Sequence, residues 1–306
     1  MSFAALFPGQ NSQAIGMARD FHDGSPAARR VLEEAEATLP GLLELMFEGP
    51  EEELKLTANQ QPALVAAAAA AWAAWLEAGG PRPQLAAGHS LGEFSALTAS
   101  GSLKLSDALR LVRRRGELMQ EAVRPGAGAM AAVMKLDGDK IRAAIAGLSG
   151  TVEVANLNSP AQTVISGDEA GVAAATAALK ELGGRVIPLK VSAPFHCSLM
   201  QPAADQLAPL LAATEFAAGD FPVLSNVTAR EHVNGGHADL LTRQVTGTVR
   251  WVESQEHLAA QGISRFVEFG SGQVLTGLVG RTLEGAQAWA VTDMASLQAA
   301  LEGVNS

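Results

Sequence analysis

The stretch Gln84-Leu85-Ala86-Ala87-Gly88-His89-Ser90-Leu91-Gly92-Glu93 decides the fold. Residues 84–88 read as a buried strand, and residues 91–100 read as a helix that Gly101 closes, leaving His89 and Ser90 at the corner between them. The spacing Gly88-x-Ser90-x-Gly92 fits the nucleophile elbow of the α/β enzymes. Glycine is needed on both sides of that serine because the backbone reverses sharply and strand and helix approach too closely for side chains. A serine so placed stands above the sheet, and the backbone N–H of Leu91, at the helix start, can donate to an oxyanion. Ser90 and Glu93 also match the S-x-x-E capping box, in which the hydroxyl does no more than close a helix. The strand before Ser90 favours the elbow.

Outward from this unit, residues 3–7 form a short apolar strand ending at Pro8-Gly9, and helical patterns occupy 26–39, 61–78 and 106–122. The longest apolar run, 63–76, is too short and Ala-rich to span a bilayer and reads as a buried helix started near Pro62. From 126 to 192 the pattern changes: strands at 129–136, 152–157, 163–166 and 185–191 alternate with helices at 140–148 and 169–182. That order is βαββαβ, the ferredoxin-like split unit. The expected organisation is a larger α/β domain, residues 1–125 and 193–306, with a small domain of residues 126–192 inserted into it. After the insertion, strands at 221–226 and 265–269, a helix near 252–261, a helix start at 271–278 and a final strand and helix imply a mainly parallel sheet covered on both faces.

Bulk properties narrow the function. A formal net charge of −10 argues against general nucleic-acid binding, which needs clustered cations on an open face. The single cysteine, Cys197, excludes an internal disulfide and a cysteine-based zinc site, suits a reducing compartment and reads as a packed thiol. No basic secretory flank precedes Pro8-Gly9, so a cytoplasmic protein that makes no membrane contact is expected.

A serine hydroxyl needs a base near neutral pH, and histidine is the usual one. Of six histidines, His22, His232, His237 and His257 sit in polar or helical surroundings that suit solvated residues. His89 adjoins the nucleophile, but the turn carries it elsewhere. His196 follows Ser192-Ala193-Pro194-Phe195 where the chain leaves the insertion and can overhang the elbow. In the 106–122 helix, a repeat of about 100° per residue places Ala108, Leu111, Val112, Leu118, Met119 and Ala122 on the side of Arg115. Arg110, Arg113, Arg114, Glu117 and Glu121 face the other way, as a solvated face or a patch for an acidic partner. An inward guanidinium must pair with an internal acid or await a ligand, and its parallel N–H bonds select a carboxylate.

Together these elements resemble the malonyl-CoA:acyl carrier protein transacylase family over essentially the whole chain. The resemblance rests on Phe7-Pro8-Gly9-Gln10-x-Ser12-Gln13, Gly88-His89-Ser90-Leu91-Gly92-Glu93, Arg115-Gly116, Pro194-Phe195-His196 and Gly270-x-Gly272-x-Val274-Leu275-Thr276-Gly277. It implies an α/β-hydrolase-like large domain with a ferredoxin-like small one. By resemblance Ser90 is the nucleophile, His196 its base, Arg115 the ligand of the malonyl carboxylate, and the backbone N–H groups of Gln10 and Leu91 the oxyanion hole. Gln244 stands where the family's histidine is oriented by a backbone carbonyl, and Asn156, Asn158 and His89 match the substrate cleft. Asn11 replaces a usual glycine and Thr248 a common proline.

The implied activity is transfer of malonyl from coenzyme A to the pantetheine thiol of acyl carrier protein through a malonyl-serine, in fatty acid or polyketide synthesis. No metal and no cofactor are implied, the coenzyme A thioester being a substrate. Phe195, before the base, either fills space beside the acyl α-carbon or is a plain core aromatic. Two alternatives remain open: a serine thioesterase or esterase, disfavoured because about 110 residues follow His196, and a non-catalytic carrier-protein-binding homologue.

Overall fold

Apolar runs at the expected positions become strands, and glycines and prolines punctuate them. The computed structural model describes residues 2–124, 126–233 and 235–306, so the expected junction at residue 125 lies outside the described residues. In chain order the strands are β1 (Ala4–Phe7), β2 (Leu85–Gly88), β3 (Gly128–Met134), β4 (Val152–Ser159), β5 (Gln162–Asp168), β6 (Arg185–Pro188), β7 (Val223–Leu224), β8 (Arg265–Phe269) and β9 (Gln287–Val291).

Five of them form one sheet in the order β7-β2-β1-β8-β9, with every pairing parallel. Every residue of β1 and β2 is buried, as a parallel sheet covered on both faces requires. Along β1, Phe3, Ala5 and Phe7 enter one apolar cluster with Trp72 and Trp75, while Ala4 and Leu6 enter another with Trp251 and Leu278. This is the two-residue alternation of a strand between two layers. The chain passes from β1 to β2 on one side, and β8 lies on the other. The carboxyl ends of these three strands therefore surround a topological switch point, where open α/β sheets bind ligands.

The other four strands form an antiparallel sheet in the order β4-β5-β3-β6. The helices Gly138–Ile145 and Glu169–Glu181 cover one face of it, completing the βαββαβ pattern read from the sequence. On the opposite face Met130, Ala132 and Val164 join the apolar cluster of the parallel sheet. The two sheets thus share a wall.

Two expected boundaries move. The Thr57–Glu77 helix begins five residues before Pro62 and carries that proline inside it. A missing N–H there forfeits one backbone bond, but nearly the whole helix is buried. Gly116 packs against it so closely that an added Cβ would stand 2.7 Å from the Ala58 Cα. The expected 221–226 strand shortens to β7, because Ser225 N–H turns back to the Arg230 carbonyl and Asn226 is taken up by the site described next.

Candidate active site

Ser90 occupies the corner between β2 and the Gly92–Ala99 helix at φ 51°, a left-handed conformation that costs a non-glycine residue about 1–2 kcal/mol. The flanking glycines are needed for space. A Cβ on Gly88 would lie 1.9 Å from the Gly92 carbonyl oxygen, and one on Gly92 would lie 2.0 Å from the Phe7 carbonyl oxygen. The capping-box alternative fails, since the helix cap is Leu91 and no side chain caps it. The hydroxyl is engaged elsewhere.

Its Oγ lies 2.7 Å from Nε2 of His196. Nδ1 of the same ring lies 2.9 Å from the Gln244 carbonyl oxygen and 3.2 Å from that of Gly247. Both are acceptors only, so Nδ1 carries the proton and the lone pair of Nε2 faces the serine. Burial first, and then the Arg115 charge, lower the His196 pKa from 6.5 to about 3. The imidazole is therefore neutral at neutral pH, with the Nε2 lone pair available to a proton.

Arg115 points inward as the helical repeat requires and is 0% exposed. Its Nη1 donates to Gln61 Oε1 at 2.9 Å, and its Nη2 to Ser90 Oγ at 3.2 Å and Gln244 Oε1 at 3.0 Å. Nε has no partner. Burial brings its pKa down to about 10, which leaves it charged at neutral pH. No acid bonds to it among the described residues, so the internal salt bridge left open by the sequence is absent. The fully buried guanidinium meets the cavity lining through its bond to Ser90, which lines it.

That cavity, about 590 Å³, opens between the parallel sheet and the antiparallel one. Ser90, His196, Gln10, His89, Asn156, Asn158 and Phe195 all line it. Nε2 of His89 lies 2.8 Å from Asn158 Oδ1, so the turn keeps His89 near the nucleophile but away from its hydroxyl. No protein acceptor is found for the backbone N–H of Gln10 or of Leu91 among the described residues. The departures noted in the sequence are accommodated. Asn11 takes φ 70°, a conformation asparagine tolerates. Thr248 Oγ1 donates to the Val154 carbonyl at 2.7 Å, just beyond the His237–Thr246 helix whose last turn presents the Gln244 carbonyl and whose cap is Gly247.

Sequence reasoning missed a group behind the serine. Glu93, 0% exposed, accepts from the Asn226 N–H at 2.9 Å, from Gln244 Nε2 at 2.7 Å and from His232 Nε2 at 2.6 Å. The His232 side chain is 2% exposed and His237 is buried, and the two rings stack with centroids 4.9 Å apart, against the expectation of solvated residues. A signal was present: the Gly92–Ala99 helix is apolar on every side, so an acid on it has to be buried and partnered. Cys197 is a packed thiol, as expected, donating to the Pro194 carbonyl, and burial raises its pKa.

A serine at a sharp strand-to-helix turn, bonded to an imidazole whose far nitrogen is fixed by carbonyls, is an arrangement suited to acyl transfer. A family model described as the acyl transferase domain matches residues 5–301, and the chain belongs to that family. It is 45% identical over 305 residues to the malonyl CoA-acyl carrier protein transacylase of Escherichia coli (strain K12), covering 98% of this chain and 99% of that one. The transacylase of the same description from Bacillus subtilis (strain 168) is 44% identical over 307 residues, covering 98% of this chain and 96% of its own. Among solved structures, a malonyl-transacylase in complex with a type II PKS acyl-carrier protein superposes with a TM-score of 0.95 at 44% identity, covering 99% of this chain and 100% of that one. The Coxiella burnetii malonyl CoA-acyl carrier protein transacylase gives 0.96 at 39% identity, covering 99% and 97%.

Proposed function

We propose that this chain transfers a malonyl group from coenzyme A to the pantetheine thiol of an acyl carrier protein, through an ester on Ser90. The observation that carries this reading is Arg115: a buried cation, bonded to Ser90, with no acid in hydrogen-bonding distance and Nε unpaired among the described residues. A guanidinium has five N–H donors, and three are engaged here by neutral oxygens. A carboxylate two carbons beyond Ser90 Oγ falls within its reach once the Arg115–Ser90 bond is exchanged for one to the ligand.

In the first half-reaction, His196 Nε2 takes the Ser90 proton while Oγ forms a bond to the thioester carbonyl carbon. The oxyanion is held by the Gln10 and Leu91 backbone N–H groups, a contact whose loss costs about 3 kcal/mol for one donor. The C–S bond breaks, and the leaving sulfur receives the proton from His196. In the second half, His196 deprotonates the carrier thiol, the sulfur attacks the ester, and Ser90 leaves and is reprotonated. The Gln244 carbonyl holds the imidazole through both halves. His89, Asn156 and Asn158 line the path of the acyl chain, and Phe195 bounds the space beside its α-carbon.

These steps call for no metal or redox cofactor. We place the reaction in the cytoplasm, where coenzyme A thioesters are made, and propose residues 126–192 as the unit that closes the cavity over the substrate. No helix among the described residues is long and apolar enough to cross a membrane.

The test is a transfer assay with and without acceptor. Malonyl appearing on a holo acyl carrier protein, with little free malonate when the acceptor is omitted, supports transfer. Rapid malonate release without acceptor means a thioesterase, and no Ser90 ester at all means a carrier-binding homologue.

A further inference from the structure

Ser90, His196 and Arg115 come from three separated segments, and two amides tie them together. Gln244 presents its carbonyl oxygen Oε1 to Arg115, its main-chain oxygen to His196, and its Nε2 to the Ser90 carbonyl at 2.9 Å. Asn226 accepts the Ser90 N–H on Oδ1 at 2.6 Å and donates from Nδ2 to the Gly88 carbonyl at 2.6 Å. Both peptide groups of the left-handed Ser90 are thus clamped, one by each amide.

An amide has no intrinsic preference for which end faces which partner, because oxygen and nitrogen are nearly the same size. Arg115, which only donates, and the Ser90 carbonyl, which only accepts, favour one orientation of Gln244, and Glu93 reinforces it from a third side. Its Oε2 accepts from Gln244 Nε2 and from the Asn226 main-chain N–H, and a main-chain N–H can only donate, so that oxygen is held as an acceptor. Gln244 must therefore turn its NH2 toward Glu93 and its oxygen toward Arg115. The opposite orientation sets NH2 against a guanidinium and oxygen against an acceptor oxygen, two repulsive contacts among three side chains that are each 0% exposed. The other carboxylate oxygen is held by His232, itself stacked on His237, whose ring stacks on Phe216 at 5.0 Å.

We propose that Glu93 is the positioning residue of this active site. It acts on the reaction through Gln244 and Asn226, keeping Ser90 Oγ and His196 Nε2 in register for acylation, and does not itself touch the acyl group. The inference rests on the malonyl-serine reading above.

The experiment is a rapid-quench measurement of acylation by saturating malonyl-CoA, which separates the burst amplitude (the fraction of competent enzyme) from the first-order rate constant. A displacement of about 1 Å costs on the order of 100-fold, so Glu93→Ala is expected to lower the rate constant at least 100-fold. Glu93→Gln keeps one oxygen for both Asn226 and Gln244 and is expected to stay within about 10-fold of wild type. Gln244→Ala in the Glu93→Ala background is expected to add little, as for residues acting through one network. A lowered amplitude with an unchanged rate constant in Glu93→Ala assigns Glu93 a folding role and overturns the proposal, as does full additivity of the two substitutions. If Glu93→Ala does not fold, Glu93→Gln against Glu93→Asp decides it: the shorter acid cannot span to Gln244, and equal rate constants for the two overturn the proposal. Absence of any wild-type burst would instead remove the malonyl-serine reading.

Discussion

Replacing Arg115 by Met keeps an unbranched stem as far as the Nε position while deleting the charged guanidinium head, so the change falls on carboxylate recognition. Arg115 is fully buried and no acid among the described residues bonds to it, so a bound malonyl carboxylate is its direct ion-pair partner in the complex. Removing one member of such a buried pair costs about 3–5 kcal/mol, or roughly 10²- to 10⁴-fold in kcat/KM at 1.4 kcal/mol per decade. Acetyl-CoA has no second carboxylate and makes no such pair. The malonyl-over-acetyl preference is therefore expected to fall by that factor, and a ratio measured on one enzyme preparation does not depend on how much of it is folded. Intact-protein mass spectrometry of quenched acylation mixtures gives both rates. An Arg115→Met enzyme that keeps the wild-type preference would refute the reasoning.

The remaining predictions concern acid–base behaviour and shape. The folded His196 pKa of about 3 lies below its unfolded value of 6.5, so the unfolded chain binds the proton first and this group adds stability as pH rises from about 3 to 6.5, with no change above. The acylation rate should accordingly stay flat from about pH 5 to 8, and its acid limb should move upward in Arg115→Met, where the second cause of the depression is gone; an acid limb near pH 6.5 in wild type would contradict this. Glu268, which accepts the Leu275 and Thr276 N–H groups, is pushed up to about 7 by burial. The fold then holds a proton that the unfolded chain sheds above about 4.5, so stability falls by about 3 kcal/mol between these values; Glu268→Gln should remove that slope in urea titrations at pH 5 and 7.5, and an unchanged slope would count against it. Phe195→Ser, widening the cavity beside the acyl α-carbon, should raise methylmalonyl relative to malonyl acylation by about 10-fold, since one methyl group is worth roughly 1–3 kcal/mol; an unchanged ratio leaves Phe195 a core aromatic.

What was legible in the sequence was local or periodic. Strand β8 is found at its expected limits, 265–269, because a short apolar run between a turn and Gly270 admits one reading. The antiparallel sheet was legible because its strands and helices alternate cleanly at short spacing. Arg115 was found from a helical repeat, which fixes direction without knowledge of partners. Pro62 misled because proline marks helix starts only where the helix interior cannot absorb it, and here tertiary burial does. Glu93, Gln61 and Asn226 could not be assigned partners because their bonds join segments more than 50 residues apart, and only the fold decides which distant amide meets which acid. The roles of His232 and His237 were lost for the same reason, since a polar neighbourhood in sequence need not be a wet one in space.

The central claim, an acyl group carried on the elbow serine, is tested most directly by digesting wild-type enzyme after brief exposure to malonyl-CoA and mapping the modified peptide. One malonyl ester is expected, on Ser90, lost on adding the thiol acceptor and absent from Ser90→Ala. A malonyl group on any other residue, or a Ser90→Ala enzyme that still transfers, would contradict it.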